Sequence, residues 1–256
     1  MSSDLGILYR DYLPHDLALI IGNNRTVLVQ ASNSLAESRW LLELANANSF
    51  IAGVVGWVDL TGPQCIGQLN ELCVDPKFKG VRHLVESEPS DDWLVQPPVL
   101  ASLHQLSRRG LTYDLLVHTR HLKHIPRVAE SCPDLKLVID HLAKPPIARN
   151  EIDEWSQALK PLARYPNIYA KLSGLVTEAN WSSWQTDDLR PYVDVALESF
   201  GADRMMFGSD YPVCLLAASY DRVLDSFQEI LKHVSDADRD KIFSRNAEKF
   251  YRLNDG

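Results

Sequence analysis

Two segments of this chain place a side chain suited to acid–base chemistry directly after an apolar run. Asp210 lies in RMMFGSDYP, and His141 lies earlier, in KLVIDHLAKPP. A carboxylate in such a position is suited to act as a general base, and an imidazole to act as a metal ligand or as an electrophile. Apolar runs of this kind are typical of buried parallel strands, whose carboxyl ends carry the chemistry in closed α/β barrels. We therefore expect Asp210 and His141 to face one pocket.

Each of these two residues also has an interpretation without function. Asp210 could cap the turn that follows it, because Asp is a favoured capping residue. His141 could be a core histidine that is hydrogen-bonded to a neighbouring strand. We favour a function for both, because residues at the carboxyl ends of barrel strands are usually catalytic.

The elements that would position these residues alternate along the chain. Apolar runs predict seven buried strands, at residues 26–31, 51–59, 80–85, 111–118, 135–141, 168–174 and 204–210. Helices are predicted at residues 15–21, 151–164, 188–200, 219–234 and 236–251, with one more opening at the capping box SLAE and one ending at Gly110. The alternation indicates one α/β domain over residues 1–256, and this length suits a TIM (β/α)8-type barrel of about 250 residues.

The strand count falls one short of an eight-stranded barrel. The gap is at the front, where residues 5–9 are the only candidate for a strand before the first predicted helix. We therefore predict a barrel that lacks its first strand, with an opening between residues 26–31 and 204–210. Residues 5–9 would partly cover that opening, since unpaired strand edges are costly to leave open.

Composition and charge exclude several classes of protein. The net charge of −8 and the sequence pI of about 5.5 argue against nucleic-acid or acidic-membrane partners, because phosphate binding needs a basic surface. No apolar stretch approaches the roughly 20 residues of a membrane span, and no signal peptide is visible. The four cysteines are scattered without close pairing, which favours a reduced, cytoplasmic setting.

Seven motifs, in order along the chain, resemble the amidohydrolase-related family. They are GVVGWVDL, VRHLVESEP, LTYDLLVHTRHL, VIDHLAKPP, KLSGLVTEANW, MFGSDYPVC and RNAEKFYRL. Within that family they are most similar to sugar-lactone hydrolases of the L-fuconolactonase and L-rhamnonolactonase kind. The resemblance implies a (β/α)8 barrel, one divalent metal ion (zinc first), and hydrolysis of a lactone to the hydroxy acid.

The resemblance also implies a His-x-His pair at the end of the first strand. The sequence contains no such pair, and His15 stands alone after the place where that strand would lie. Either the chain begins about one strand late or the protein has lost the strand. His141 and Asp210 are the remaining candidates for ligands if a divalent ion is bound.

Four residues near the ends of two earlier strands are candidates for substrate contact. Arg82 and His83 end the run 80–85, and Asp59 follows Trp57 at the end of the run 51–59. The planar fork of Arg82 suits pairs of oxygens, such as substrate hydroxyls or a product carboxylate. Without function, Arg82 would pair with a neighbouring acid and Trp57 would belong to the core. Strand alternation sends only alternate residues inward, so we do not expect all four to reach the pocket.

Lys171 and Ser173 share a phase on the run 168–174 and could line the pocket together, although an internal hydrogen-bond network would explain them equally well. Trp181 and Trp184 follow that strand and could stack on a sugar ring, or simply pack.

His118, His121 and His124 resemble a metal cluster by spacing. They span a strand end and a helix start, so they need not converge on the tetrahedral geometry that a metal site requires.

Three functions follow from the sequence. The first is an active sugar lactonase, with Asp210 as general base and a small-molecule lactone as its partner. The second is an amidohydrolase that acts on another cyclic ester or on an aromatic carboxylic acid. The third is a non-catalytic, degenerate barrel that binds a sugar acid or a partner protein. The oligomeric state is left open by the sequence.

Overall fold

The computed structural model describes the chain from residue 3 to residue 253, with side chains from residue 6 onward. Seven strands form one sheet, and each strand pairs in parallel with the next along the chain. They are β1 (Thr26–Val29), β2 (Ile51–Gly56), β3 (Phe78–Leu84), β4 (Thr112–Leu116), β5 (Leu137–Ile139), β6 (Ile168–Leu172) and β7 (Met205–Phe207). Each overlaps one of the seven predicted runs, so the prediction of a parallel α/β sheet is confirmed.

Helices precede β1, connect the successive strands and follow β7. They are α1 (Pro14–Ile21), α2 (Leu35–Ala47), α3 (Cys65–Leu72), α4 (Pro97–Arg108), α5 (Ile125–Ser131), α6 (Asp153–Leu159), α7 (Leu175–Glu178), α8 (Thr186–Phe200), α9 (Tyr220–Ile230), α10 (Asp236–Asp240) and α11 (Asn246–Tyr251). The predicted helix over residues 236–251 is interrupted by a π-helical turn at Lys241–Arg245. Ser34 caps α2 by accepting from the amide of Glu37, and Gly110 follows α4 with a φ of 67°.

Residues 5–9, the only candidate for an additional strand at the front of the chain, do not form one. Ser3–Leu8 form a 3-10 helix that packs against another 3-10 helix, Val213–Leu216, in the segment after β7. The sequence there lacks the alternation of apolar and polar residues that a half-buried strand requires. In the part of the chain from residue 3 to residue 253, β1 and β7 are therefore the two edges of the sheet.

The sheet curls so that its inner face forms a core of its own. Val55 of β2, Val138 of β5 and Met206 of β7 belong to strands that are not neighbours, yet they pack in one cluster with Phe250 and Tyr251 of α11. This packing is possible only if the strands surround a common interior. A second, larger core lies between the outer face of the sheet and the surrounding helices.

The last helix covers the amino ends of the strands. Lys136, which directly precedes β5, donates to the carbonyl oxygen of Lys249, and Lys79 near the start of β3 donates to that of Arg252. The carboxyl ends of the strands, which carry the predicted site residues, lie at the opposite end of the interior.

Candidate active site

His141 and Asp210 come together at the carboxyl ends of β5 and β7. Nε2 of His141 lies 3.8 Å from Oδ1 of Asp210, too far for a direct hydrogen bond. Nδ1 of the same imidazole lies 2.8 Å from Oγ of Ser173, which follows β6 between the other two strands. Ser173 therefore holds the Nδ1 edge of the imidazole, while the Nε2 edge points to the Asp210 carboxylate across a narrow gap.

The backbone that carries His141 is unusual. Four consecutive residues without glycine, from His141 to Lys144, have φ values of 52°, 50°, 62° and 54°. Each such residue costs roughly 1–2 kcal/mol, so the turn persists only where neighbours hold it. Nε1 of Trp155 donates to the carbonyl oxygen of Leu142 at 2.6 Å, and the Lys144 ammonium pairs with Glu86. Asp210 also has a positive φ, of 56°.

Gly174 lies directly against the imidazole of His141. A Cβ atom at position 174 would stand 2.5 Å from Nδ1 of His141, and the φ of Gly174 is 64°. Both the space and the backbone conformation therefore call for glycine here.

Four charged side chains lie inside the curl of the sheet, three of them buried and the fourth, Arg82, partly buried. Nζ of Lys171 lies 2.6 Å from Oδ2 of Asp114 and 2.7 Å from Oδ1 of Asp140. Nη1 of Arg82 donates to Oδ2 of Asp140 at 2.9 Å, and its Nη2 donates to the carbonyl oxygen of Gln30. Two cations and two carboxylates thus balance one another, as buried charges must.

The pKa shifts in this cluster follow from burial and pairing. Burial disfavours the charge on Lys171, but Asp114 and Asp140 outweigh it and raise the pKa of Lys171 well above its ordinary value. Burial also opposes ionisation of Asp140, yet Lys171 and Arg82 hold its pKa below the ordinary value. The pKa of Asp114 is raised, because burial there exceeds the effect of Lys171. Lys171 and Arg82 therefore direct their charged groups to protein acceptors.

His83 is enclosed by aromatic and acidic neighbours. Its ring stacks on Trp93 with centroids 4.0 Å apart, and Nε1 of Trp57 donates to its Nδ1 at 3.0 Å. Because Nδ1 accepts, Nε2 carries the proton and donates to Oε1 of Glu88 at 2.6 Å. Burial lowers the pKa of His83 despite Glu88, which favours the neutral ring. His83 thus fixes the orientation of Trp57, whose side chain is partly exposed.

The remaining predicted contacts are engaged locally. Oδ1 of Asp59 accepts from the amides of Thr61 and Gly62, so this carboxylate stabilises the turn after β2. Trp184 is buried and donates to the carbonyl oxygen of Ala217. Trp181 is 38% exposed, and its Nε1 donates to the carbonyl oxygen of Thr177 at 2.8 Å.

The three spaced histidines do not form a metal cluster. Nδ1 of His121 accepts from the backbone amide of His118, and the two rings stack with centroids 6.2 Å apart. Across residues 3–253, no group of three or more His, Cys, Asp or Glu side chains is placed to hold a metal ion.

Several residues of the site region were not predicted from the sequence. Asp114 and Asp140 each interrupt an apolar run, which was a readable signal for a charge inside the sheet. Glu178 of α7 lies near Asp210 and Lys144; burial raises its pKa, and Lys144 opposes that effect. Tyr251 reaches Asp114 from the far end of the chain, and no local pattern pointed to it.

Comparison with known proteins identifies the family of this chain. The model of the amidohydrolase family matches residues 3–253. The chain belongs to the amidohydrolase family. As an amidohydrolase, it is an enzyme of the hydrolase class, as the sequence motifs predicted.

Relatives of this amidohydrolase also support the predicted branch. It is 38% identical to the L-fucono-1,5-lactonase of Burkholderia ambifaria, over 97% of this chain and 88% of that protein. It is 37% identical to the L-fucono-1,5-lactonase of Burkholderia multivorans, over 99% of this chain and 90% of that protein. A crystal structure of an amidohydrolase from Burkholderia multivorans with bound zinc superposes with a TM-score of 0.94, at 35% identity, over 99% of this chain and 93% of the other. The resemblance to the sugar-lactone branch is thereby confirmed.

The metal that the family implies can be tested against the side chains of this amidohydrolase. A catalytic zinc site needs three protein ligands besides water. Nε2 of His141 and Oδ1 of Asp210 face each other, but no third ligand joins them within residues 3–253. The described side chains therefore do not fit a complete zinc site.

None of the helices over residues 3–253 is long and apolar enough to cross a membrane.

Proposed function

We propose that this amidohydrolase opens a sugar-derived lactone similar to L-fucono-1,5-lactone and releases the hydroxy acid. The observation that carries the proposal is the 3.8 Å separation between Nε2 of His141 and Oδ1 of Asp210, at the carboxyl ends of two strands. Such a gap allows one small group, such as a water molecule, to contact both. The lactonase relatives supply the class of substrate.

Asp210 acts as the general base. Its carboxylate takes a proton from water while the water oxygen forms a bond to the ring carbonyl carbon. The side chain is 17% exposed, so it reaches the solvent-facing end of the interior rather than the core. General-base catalysis of this kind contributes about 10²–10⁴-fold to a rate.

His141 stabilises the oxygen that becomes negative in this step. When Oγ of Ser173 donates to Nδ1, the proton of the neutral imidazole lies on Nε2, which can then donate to the developing oxyanion. If Nδ1 donated to Ser173 instead, Nε2 would present a lone pair, as a metal ligand does. Because the described side chains do not complete a zinc site, the first arrangement is the one that this chain's own residues support.

Collapse of the tetrahedral intermediate completes the reaction. The bond between the carbonyl carbon and the ring oxygen breaks, and its electron pair stays on the ring oxygen. The protonated Asp210 returns its proton to that alkoxide, so the product is the open hydroxy acid and Asp210 is again a carboxylate. Atoms and charges balance without a further reactant.

Substrate hydroxyls contact residues at the rim of the interior. Trp57 and Asp59 keep partial exposure just after β2 and form this rim, whereas the guanidinium of Arg82 is bound by Asp140 and the carbonyl oxygen of Gln30. Lys171 and Ser173 act through His141 and the buried charges, and His83 acts by orienting Trp57.

The architecture is a TIM (β/α)8-type barrel in which the place of the first strand, between β7 and β1, is open. Val27 and Val29 of β1 pack against the inner core to which Met206 of β7 belongs, which supports an interior shared by the two edge strands. The His-x-His pair of the family would belong to that place.

The test is a pH-stat assay of ring opening, corrected for spontaneous hydrolysis. L-fucono-1,5-lactone, L-rhamnonolactone and an unrelated cyclic ester are compared for the parent chain, Asp210→Asn and Asp203→Asn. Asp203 is a surface carboxylate before β7 that pairs with Lys241. We expect turnover of a sugar lactone that falls by about 10² in Asp210→Asn and is unchanged in Asp203→Asn.

Other outcomes would contradict parts of the proposal. Full turnover by Asp210→Asn would remove Asp210 from the mechanism. Turnover of the unrelated ester alone would favour a different hydrolase activity. Binding of a sugar acid without any turnover would favour a non-catalytic barrel.

A further inference from the structure

The interior of the sheet contains a hydroxyl group that the proposed reaction does not use directly. Tyr251 of α11 is buried, and its hydroxyl donates to Oδ2 of Asp114 at 2.7 Å. Burial raises the pKa of Tyr251 well above its ordinary value, so the hydroxyl stays protonated and remains a donor. Its neighbour Phe250 fills the same end of the interior with an apolar ring. An apolar ring can therefore pack at this end of the interior, so packing alone does not explain why residue 251 carries a hydroxyl group.

Asp114 connects that hydroxyl to the buried charges. Its Oδ2 accepts from Tyr251 and also lies 2.6 Å from Nζ of Lys171, whereas its Oδ1 has no hydrogen-bond partner among the described residues. Two donors on one oxygen fix the rotation of the carboxylate. Without the Tyr251 hydroxyl, Lys171 would be the only group holding the Asp114 carboxylate. The carboxylate could then rotate, and the Lys171 ammonium would shift with it.

Lys171 in turn is connected to His141 by two routes, through Asp140 and through Ser173. Its Nζ lies 2.7 Å from Oδ1 of Asp140, the residue before His141. Ser173, which follows Lys171 past the end of β6, holds Nδ1 of His141 at 2.8 Å. A shift of Lys171 would therefore move His141 in two ways. It would displace Asp140, which is bonded to His141 in the chain, and it would displace Ser173, which holds the imidazole.

We propose that Tyr251 is a positioning residue for the reaction: its hydroxyl acts through Asp114 and Lys171 to set the orientation of His141. This inference rests on the proposed function for its kinetic consequence, but its structural consequence is independent of it. Removing neighbours that orient metal-binding histidines typically changes activity by roughly 10–100-fold, and we expect an effect of similar size for this imidazole.

The experiment compares three variants with the parent chain. Tyr251→Phe removes the hydroxyl and keeps the ring. Tyr192→Phe removes another buried hydroxyl, which contacts the carbonyl oxygen of Glu151 at 3.4 Å, outside this network. Phe250→Leu weakens the apolar packing of α11, including the edge contact with the Tyr251 ring, but removes no hydrogen-bonding group. Each is measured for kcat and KM on L-fucono-1,5-lactone, for Tm, and for the ¹⁵N resonances of His141, identified with His141→Gln.

We expect kcat of Tyr251→Phe to fall roughly tenfold with KM unchanged, and the His141 resonances to shift. Tyr192→Phe should change neither, and Phe250→Leu should lower Tm while keeping kcat. Unchanged His141 resonances in Tyr251→Phe would overturn the proposal. If the parent chain opened no lactone, the proposed function would fail, but the resonances would still decide this inference. Should Tyr251→Phe not fold, Asp114→Asn weakens the same link and carries the same expectations.

Discussion

Oγ of Ser173 lies 2.8 Å from Nδ1 of His141, and both residues are buried at the edge of the interior. This contact fixes the ring orientation and decides which nitrogen faces Asp210. It links the end of β6 to the turn after β5, two segments that the chain brings together only in the folded state.

Ser173→Ala removes this contact. We expect kcat for lactone opening to fall roughly tenfold with little change in KM, because the imidazole loses its orientation while the rim residues are untouched. The matched control is Ser199→Ala, since Oγ of Ser199 bonds only to the carbonyl oxygen of Val195 within α8. Steady-state kinetics of both variants check the prediction, and equal losses in the two would contradict it.

Gly174→Ala tests the close approach to His141. A Cβ atom there would meet Nδ1 of His141 at 2.5 Å, and the positive φ adds strain of roughly 1–2 kcal/mol. Gly201→Ala is a matched control, because Gly201 has a φ of 68° and nothing within 4 Å of the added atom.

Both glycine variants should lose unfolding free energy in urea titrations, by roughly 1–2 kcal/mol from strain. Only Gly174→Ala should also lose lactonase activity, because only there does the added atom displace the imidazole. Retained activity in Gly174→Ala would show that the His141 ring can move without consequence.

Lys171→Met tests the buried charges. The substitution leaves Asp114 and Asp140 with one cation fewer, and breaking a buried pair in this way costs about 3–5 kcal/mol. Lys241→Met is the control, since its ion pairs with Asp203 and Asp238 are at the surface and its loss should leave the unfolding free energy nearly unchanged. Denaturant unfolding measures both, and a similar small effect in each would contradict the prediction.

Acid titration of stability tests the lowered pKa of Asp140. A carboxyl group with a folded-state pKa below its unfolded value stabilises the protein above the unfolded pKa, which is about 3.9 for Asp. That contribution is lost as the pH falls from there through the folded pKa. The unfolding free energy of the parent chain should therefore decline below about pH 4 more steeply than that of Asp140→Asn. Parallel curves would exclude Asp140 as a source of the decline.

Much of the fold was readable from the sequence. Apolar runs bounded by polar and turn-forming residues located all seven strands, because strands of a parallel sheet are buried on both faces and therefore apolar throughout. The same boundaries marked the strand ends, and so His141 and Asp210 were found without any knowledge of their distance.

The direction of the other side chains was decided only by the tertiary structure. In a strand buried on both faces, hydrophobic alternation does not reveal which residues face the interior. The sequence thus left open whether Lys171 and Arg82 bind a ligand or neighbouring acids, and the folded structure pairs them with Asp114 and Asp140. The hydroxyl of Tyr251 reaches Asp114 across 137 positions of sequence, because curling of the sheet brings α11 under strands that are distant along the chain. Contacts of that kind depend on closure of the interior, which no local segment encodes.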